Sequence, residues 1–203
     1  MKVIVYTQRV EYVQSYGERR DCIDQSIPKL LLECGFLPIP IYNIPNRDLI
    51  EQFMNNVSVG GVLFTGGNSL YKYGGDALER DKTEIILLEW CLKKNVPVLG
   101  LCRGMQFILD YFGATLENID GHIGVKHKIV GSIARDRVNS FHRQAARNIP
   151  KSLVVMSNSL DGVVEAVRHK TKSVYGIMWH PERENPFHDG DIELIKRVFE
   201  GVE

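Results

Sequence analysis

The chain has 203 residues, with 25 basic and 25 acidic side chains, 44% hydrophobic and 25% charged residues. That length has room for a single globular domain over 1–203. Its zero formal charge excludes a binder of nucleic acid or of an anionic membrane surface that relies on a basic excess.

No window reaches the roughly 18 apolar residues of a membrane helix and the N-terminus lacks a signal-peptide pattern, so a cytoplasmic protein is expected. The cysteines, Cys22, Cys34, Cys91 and Cys102, form no CxxC pair, so neither a zinc knuckle nor a disulfide framework is written in them. In chain order, Lys2–Thr7 is a short β-branched run that reads as a buried strand, followed by a polar loop. Asp24 then caps a helix with Ile27, Leu30, Leu31 and Cys34 at helical spacing, Pro28 in its first turn and Gly35 past its end. Phe36–Ile41 is a second strand, 47–55 a second helix, and Gly61–Thr65 a third strand closed by Gly66 and Gly67. Helices over Lys82–Lys93 and Gly104–Phe112 flank the strand run Val96–Leu101. This alternation predicts an α/β fold with a parallel sheet and helices on both faces. Beyond it, Lys126–Val130, Leu153–Ser157, Val163–Arg168 and Ser173–Trp179 are strands with no long helices between them, which predicts an antiparallel extension, and Asp191–Phe199 closes the chain as an amphipathic helix.

Chemistry concentrates at Gly100-Leu-Cys102-Arg-Gly104, where a buried strand runs straight into a helix. A nucleophile on so sharp a turn needs small neighbours, and the helix N-terminus favours a thiolate. The alternative is a packed cysteine on a tight turn; for Cys22, Cys34 and Cys91 packing is the preferred reading. A thiolate needs a base, and Trp179-His180-Pro181-Glu182 follows a strand. Pro181 is expected to hold the chain extended, with Glu182 accepting the His180 ring N–H and fixing its tautomer. The backbone N–H of Arg103 and the Gly66-Gly67 turn supply candidate oxyanion donors. There is no phosphate-binding loop of the G-x-x-x-x-G-K-[ST] kind and no G-x-G-x-x-G.

Taken together, Gly100-Leu-Cys-Arg-Gly-Met-Gln106, Val138-Asn-Ser-Phe-His-Arg-Gln144, Asp161-Gly-Val-Val-Glu-Ala166 and Gly176-Ile-Met-Trp-His-Pro-Glu182 resemble the class I glutamine amidotransferase family, within it the stand-alone γ-glutamyl hydrolases. The resemblance covers essentially the whole chain. It implies a flavodoxin-like three-layer fold, a triad of Cys102, His180 and Glu182, an oxyanion loop at Gly66-Gly67, and Gln106 with Asn139, Ser140 and Phe141 beside a γ-glutamyl group. The opening, Thr7–Val10 with Tyr16–Asp21, is similar to the γ-glutamyl-CDP-amidate hydrolases of capsule phosphoramidate biosynthesis, which release cytidine diphosphoramidate and glutamate. The expected reaction is therefore cleavage of a γ-glutamyl amide through a thioester on Cys102, with a small-molecule substrate and no cofactor. Arg9, Arg19 and Arg20, placed in loops at the sheet edge that carries Cys102, would clamp a diphosphate; the competing reading of Arg19 and Arg20 is a solvated run paired with Glu18 and Asp21.

Hydrolysis of another γ-glutamyl conjugate, a glutaminase subunit feeding ammonia to a synthetase, and a non-catalytic binding domain on the same fold remain open alternatives. The protease branch, which carries histidine after its cysteine, is disfavoured by Arg103. His142 is read either as reaching the pocket rim or as a capping or surface residue. His122 and His127 are expected to be loop residues near the pocket, with no third ligand and no metal-site spacing. Oligomeric state is not legible.

Overall fold

The computed structural model describes residues 1–201. β1 (Val3–Tyr6) is buried from Ile4 onward, as its apolar run predicts. The expected polar loop after it is instead a hairpin of β2 (Arg9–Val13) and β3 (Glu18–Cys22), turned at Gly17 with φ 64°. Most of its side chains face solvent, so it carries no apolar alternation by which a strand could be read.

α1 (Ser26–Glu33) follows, its start held by the Asp24 carboxylate accepting from the Ser26 N–H at 2.8 Å. Then come β4 (Leu37–Pro40), α2 (Arg47–Asn56), capped by Asn46, and β5 (Val59–Phe64). α3 (Leu78–Lys94) begins four residues before the expected Lys82, because Leu78–Asp81 lacks apolar periodicity. β6 (Val98–Leu101) leads into α4 (Arg103–Tyr111). The second half holds β7 (Glu117–Asn118), β8 (Ile123–Gly131), β9 (Arg135–Phe141), β10 (Gln144–Ala145), β11 (Leu153–Ser159), β12 (Val164–His169) and β13 (Val174–Ile177). α5 (Asp189–Glu200) packs last. β9 had no strand signature because its polar residues bury little beyond Val138, Asn139 and Ser140.

The main sheet runs β4-β1-β5-β6-β13-β12-β11-β8-β9. β4, β1, β5, β6 and β13 pair in parallel, and β12, β11, β8 and β9 extend the sheet antiparallel. Apolar side chains of α2, α3 and α4, among them Met54, Leu87 and Ile108, cover one face; Leu30 and Leu31 of α1 with Ile195 and Phe199 of α5 cover the other. The result is a three-layer, flavodoxin-like α/β fold. One pairing governs the site: β13 lies beside β6, with Ile177 opposite Leu101, so the chain segments that follow these strands emerge together at the carboxyl edge of the sheet.

Candidate active site

Cys102 sits between β6 and α4 with φ 49° and ψ −102°, a backbone shape that an L residue adopts only under strong tertiary constraint. Its N–H donates to the Ile177 carbonyl at 2.8 Å. The flanking glycines are required for space: a Cβ on Gly100 would lie 2.5 Å from the Gly104 carbonyl carbon, and one on Gly104 would lie 2.1 Å from the Phe64 carbonyl oxygen. Burial pushes the Cys34 thiol up to about 12 and raises Cys91 further, so neither offers a thiolate near neutral pH.

His180 follows β13 and faces the same cavity as Cys102, near enough for the sulfur's charge to act on the imidazole. Its Nδ1 lies 2.6 Å from Glu182 Oε1, leaving Nε2 as the nitrogen available to the sulfur. Contrary to the extended chain expected at Pro181, residues Pro181–Arg183 form a turn of 3₁₀ helix; proline suits the first position of such a turn, which folds Glu182 back under the ring. Asn139 fixes the same segment from behind, accepting the His180 N–H at 2.9 Å and donating to its carbonyl at 2.8 Å. Burial alone would lower the His180 pKa, but the Cys102 and Glu182 charges outweigh it and raise the imidazole to about 10.

A cavity of about 210 Å³ opens onto Cys102 and His180 and is lined by Gly67, Arg103, Gln106, Phe141, His142 and Arg183 among others. Arg103 is the first residue of α4, where backbone N–H groups have no helical partner. Gly67 has φ 79°, and Gly66 packs so near His180 that a Cβ there would lie 2.9 Å from Cε1. Gln106 donates to the Gln144 carbonyl at 2.7 Å. The Phe141 ring stands nearly perpendicular to that of His180, with centroids 5.8 Å apart. Ser140 is buried away from the cavity, donating to the His122 carbonyl at 2.8 Å, and Asn139 stands behind His180 rather than lining this cavity.

The arginines divide. Arg9 reaches the Gly67 backbone and lines a small cleft with Gly66, His180 and Arg183. Arg19 and Arg20 lie on the β3 strand, not in a loop: Arg19 forks onto Glu79 and the Asp76 carbonyl, and Arg20 pairs with Glu18 at 2.6 Å. Neither lines the cavity that holds Cys102.

Two features escaped the sequence reading. The first is a buried ion-pair network behind the Gly66-Gly67 loop. Arg80, fully buried, donates to Glu84 at 3.0 Å and to the carbonyls of Thr65, Gly66 and Gly67 at 2.7, 3.1 and 2.6 Å, while Arg103 bonds Glu84 and Asp81. Burial and the neighbouring Arg103 lower the Arg80 pKa to about 10, which still leaves it charged at neutral pH. Nothing in the local sequence sets Arg80, Asp81 and Glu84 apart from a solvated helix start, and only the fold turns them inward. The second is Arg183 with Arg143 at the cavity mouth, Arg183 stacked 4.2 Å over Phe141. Each directly follows a residue already singled out, Glu182 and His142, and that adjacency was the available signal.

His142 is buried and lines the cavity wall, which decides between its two readings. His122 and His127 do have a third partner. Their ring nitrogens lie 3.4 and 3.5 Å from Glu165 Oε1, and the three groups could together hold a metal ion. Glu165 comes from β12, remote in sequence, so spacing could not reveal it.

Comparison with known proteins is consistent with this geometry. The profile of the glutamine amidotransferase class-I family matches residues 20–198. A γ-glutamyl-CDP-amidate hydrolase of Campylobacter jejuni is 34% identical over 198 residues, covering 95% of each chain. The glutamine-hydrolysing GMP synthase subunit of Methanosphaera stadtmanae is 25% identical, over 89% of this chain and 91% of its own. A crystal structure from Thermoplasma acidophilum, provisionally assigned as a GMP synthase subunit, superposes with a TM-score of 0.70 at 18% identity over 98% of this chain and 94% of that one, a likeness of fold. Among the described residues no helix is long and apolar enough to cross a membrane.

Proposed function

The chain belongs to the class-I glutamine amidotransferase family, and from that premise we propose that it is a cysteine-dependent hydrolase of a γ-glutamyl amide. The reading is carried by one juxtaposition: Cys102 on its positive-φ turn beside an imidazole whose far nitrogen is occupied by Glu182. The Cys102 thiolate attacks the γ-carbonyl carbon, and the carbonyl oxygen gains the charge, facing the N–H groups of Gly67 and Arg103. His180 gives its proton to the departing nitrogen as the C–N bond breaks, leaving a γ-glutamyl thioester and neutral imidazole. Water then attacks the thioester, His180 takes its proton, and the C–S bond breaks to release glutamate and restore the ion pair. Glu182 holds the ring and its charge throughout.

The leaving group we assign is a nucleotide amidate, released as cytidine diphosphoramidate from γ-glutamyl-CDP-amidate within cytoplasmic assembly of capsule phosphoramidate. The 34% identity to the Campylobacter enzyme supports it, and so do the guanidinium groups of Arg183 and Arg143 on the cavity wall, suited to phosphate oxygens, whereas Arg9 lines an adjoining cleft and is paired with Glu11. The likeness to GMP synthase subunits favours a second reading, a glutaminase that supplies ammonia to a partner. Rapid-quench mass spectrometry with γ-glutamyl-CDP-amidate and with glutamine tests both: a glutamyl adduct on Cys102 is expected with the amidate and little turnover with glutamine. Turnover surviving in Cys102→Ala ends the hydrolase proposal, and glutamine turnover that appears only with an added synthetase favours the second reading.

A further inference from the structure

Three imidazoles converge on one buried carboxylate outside the triad. His122 Nδ1 lies 3.4 Å from Glu165 Oε1, and His127 Nε2 and His142 Nε2 each lie 3.5 Å from the same oxygen. The Glu165 and His142 side chains are wholly buried, and both Glu165 oxygens, both His142 ring nitrogens and His127 Nε2 have no well-formed hydrogen bond. Buried polar atoms without a partner are costly and rare in native proteins. The separations are long for hydrogen bonds. These three nitrogen–oxygen separations are close to the edge of a tetrahedron, roughly 3.3–3.4 Å for metal–ligand bonds of about 2.0–2.1 Å. The ligand atoms of His122, His127 and Glu165 lie within 4.8 Å of one another, so binding an ion would draw the imidazoles, that of His142 included, closer together.

The local backbone is shaped to bring these groups together. His122 and His127 are five positions apart, an odd offset that would set them on opposite sides of a regular strand. A bulge between Ile123 and Val125, with Gly124 at φ 67°, restores them to one face. His142 stands opposite His122, whose carbonyl accepts its N–H at 3.0 Å. β11 ends at Ser159, opposite Ile129, so the stretch from His122 to His127 runs on past β11 toward Glu165 on β12. His122 also has the outer contact typical of a ligand: its Nε2 lies 3.2 Å from Asp161 Oδ2, the carboxylate that orients a metal-bound imidazole and fixes its tautomer.

We propose that His122, His127, His142 and Glu165 form a tetrahedral N₃O site for a divalent transition metal, zinc by preference, that ties the β8–β9 edge of the sheet to β12 and steadies the His142 wall of the active cavity. Three imidazoles and a carboxylate, with no thiolate, suit zinc. The need for a tie is visible in the hairpin itself. Ile129 is the one fully buried apolar residue of β8 and Val138 the one buried apolar residue of β9, so hydrophobic contact anchors the hairpin weakly. This assignment does not depend on what the active site hydrolyses.

The test uses the full chain without an affinity tag, as wild type and as Cys102→Ala, so that the reactive thiol cannot supply a ligand. After dialysis against chelator, both are titrated with Co(II) and Zn(II). Expected are stoichiometric zinc surviving gel filtration by elemental analysis, intense visible d–d bands of tetrahedral Co(II) without thiolate charge transfer in both proteins, and a rise in Tm with zinc. Glu165→Gln and His127→Asn should abolish the cobalt bands, and Asp161→Asn should weaken zinc about 10–100-fold. If wild type shows neither retained zinc nor tetrahedral cobalt bands, the proposal falls, whatever the variants do. Bands that vanish in Cys102→Ala, or that persist in Glu165→Gln, place the metal elsewhere and also overturn it.

Discussion

The arginines behind the Gly66-Gly67 loop and those on the β2–β3 hairpin have the same chemistry but differ in what water does to them. Arg80 and Arg103 are buried and bonded to Glu84, Asp81 and the loop carbonyls, whereas Arg19 and Arg20 are close to half exposed and each meets one main carboxylate partner, Glu79 or Glu18. A charge removed from solvent cannot be left without its partner, so the inner set is committed to one geometry. The outer set is screened and replaceable. Position relative to water, more than residue type, separates structure-bearing cations from surface ones.

The contrast can be broken most severely at Glu84, which partners both inner arginines. Glu84→Ala leaves two buried guanidinium groups without their central anion and is expected to cost about 3–5 kcal/mol of unfolding free energy, read by urea denaturation. An effect as small as that of a surface ion pair would show the inner network to be no different from the outer one. Next comes Arg80→Lys, which keeps the charge but loses the fork that holds the carbonyls of Gly66 and Gly67. A fall in kcat of about 100-fold with KM nearly unchanged is expected, because the loss is felt when the oxyanion forms. A change confined to KM would refute a positioning role.

The pH profile sharpens the comparison at the His180–Glu182 pair. A value near 10 for His180 predicts that kcat/KM keeps its acid form of the imidazole through neutrality and declines as pH rises through about 10. Because the folded value is raised, the associated stability is fully present below the unfolded value of about 6.5 and is lost as pH rises through about 10. Glu182→Gln should move the alkaline limb down by about 1 unit or more; an unmoved limb would remove Glu182 from the ring's electrostatics. Arg183→Ala is expected to reduce kcat/KM for a nucleotide amidate more than for a neutral γ-glutamyl amide, measured by competition between the two. The smallest effects belong to Arg19→Ala and Arg20→Ala, each within about 1 kcal/mol of wild type in stability. A selective loss of the nucleotide substrate in either would restore the diphosphate clamp to the hairpin.

Much of the fold was legible because burial leaves a local trace. β1, β5 and β6 are apolar runs, and the helices carry their apolar residues at helical spacing. The elbow was equally readable, since Gly100 and Gly104 must be small where backbone passes within 2.1–2.6 Å of a would-be Cβ. The hairpin of β2 and β3 and the strand β9 were not, because their exposed side chains answer to no periodicity.

By itself, then, the order of residues determined the strand-and-helix alternation, the sharp turn at Cys102 and the His180–Glu182 pair, each a matter of neighbours in the chain. Only the tertiary structure decided that β13 lies against β6 and brings His180 and Cys102 to one cavity, that Arg80 turns inward to brace the Gly66-Gly67 loop, and that Glu165 meets His122, His127 and His142. Those relations join segments tens of residues apart through sheet pairing and burial, forces that act across space and leave no mark on local spacing.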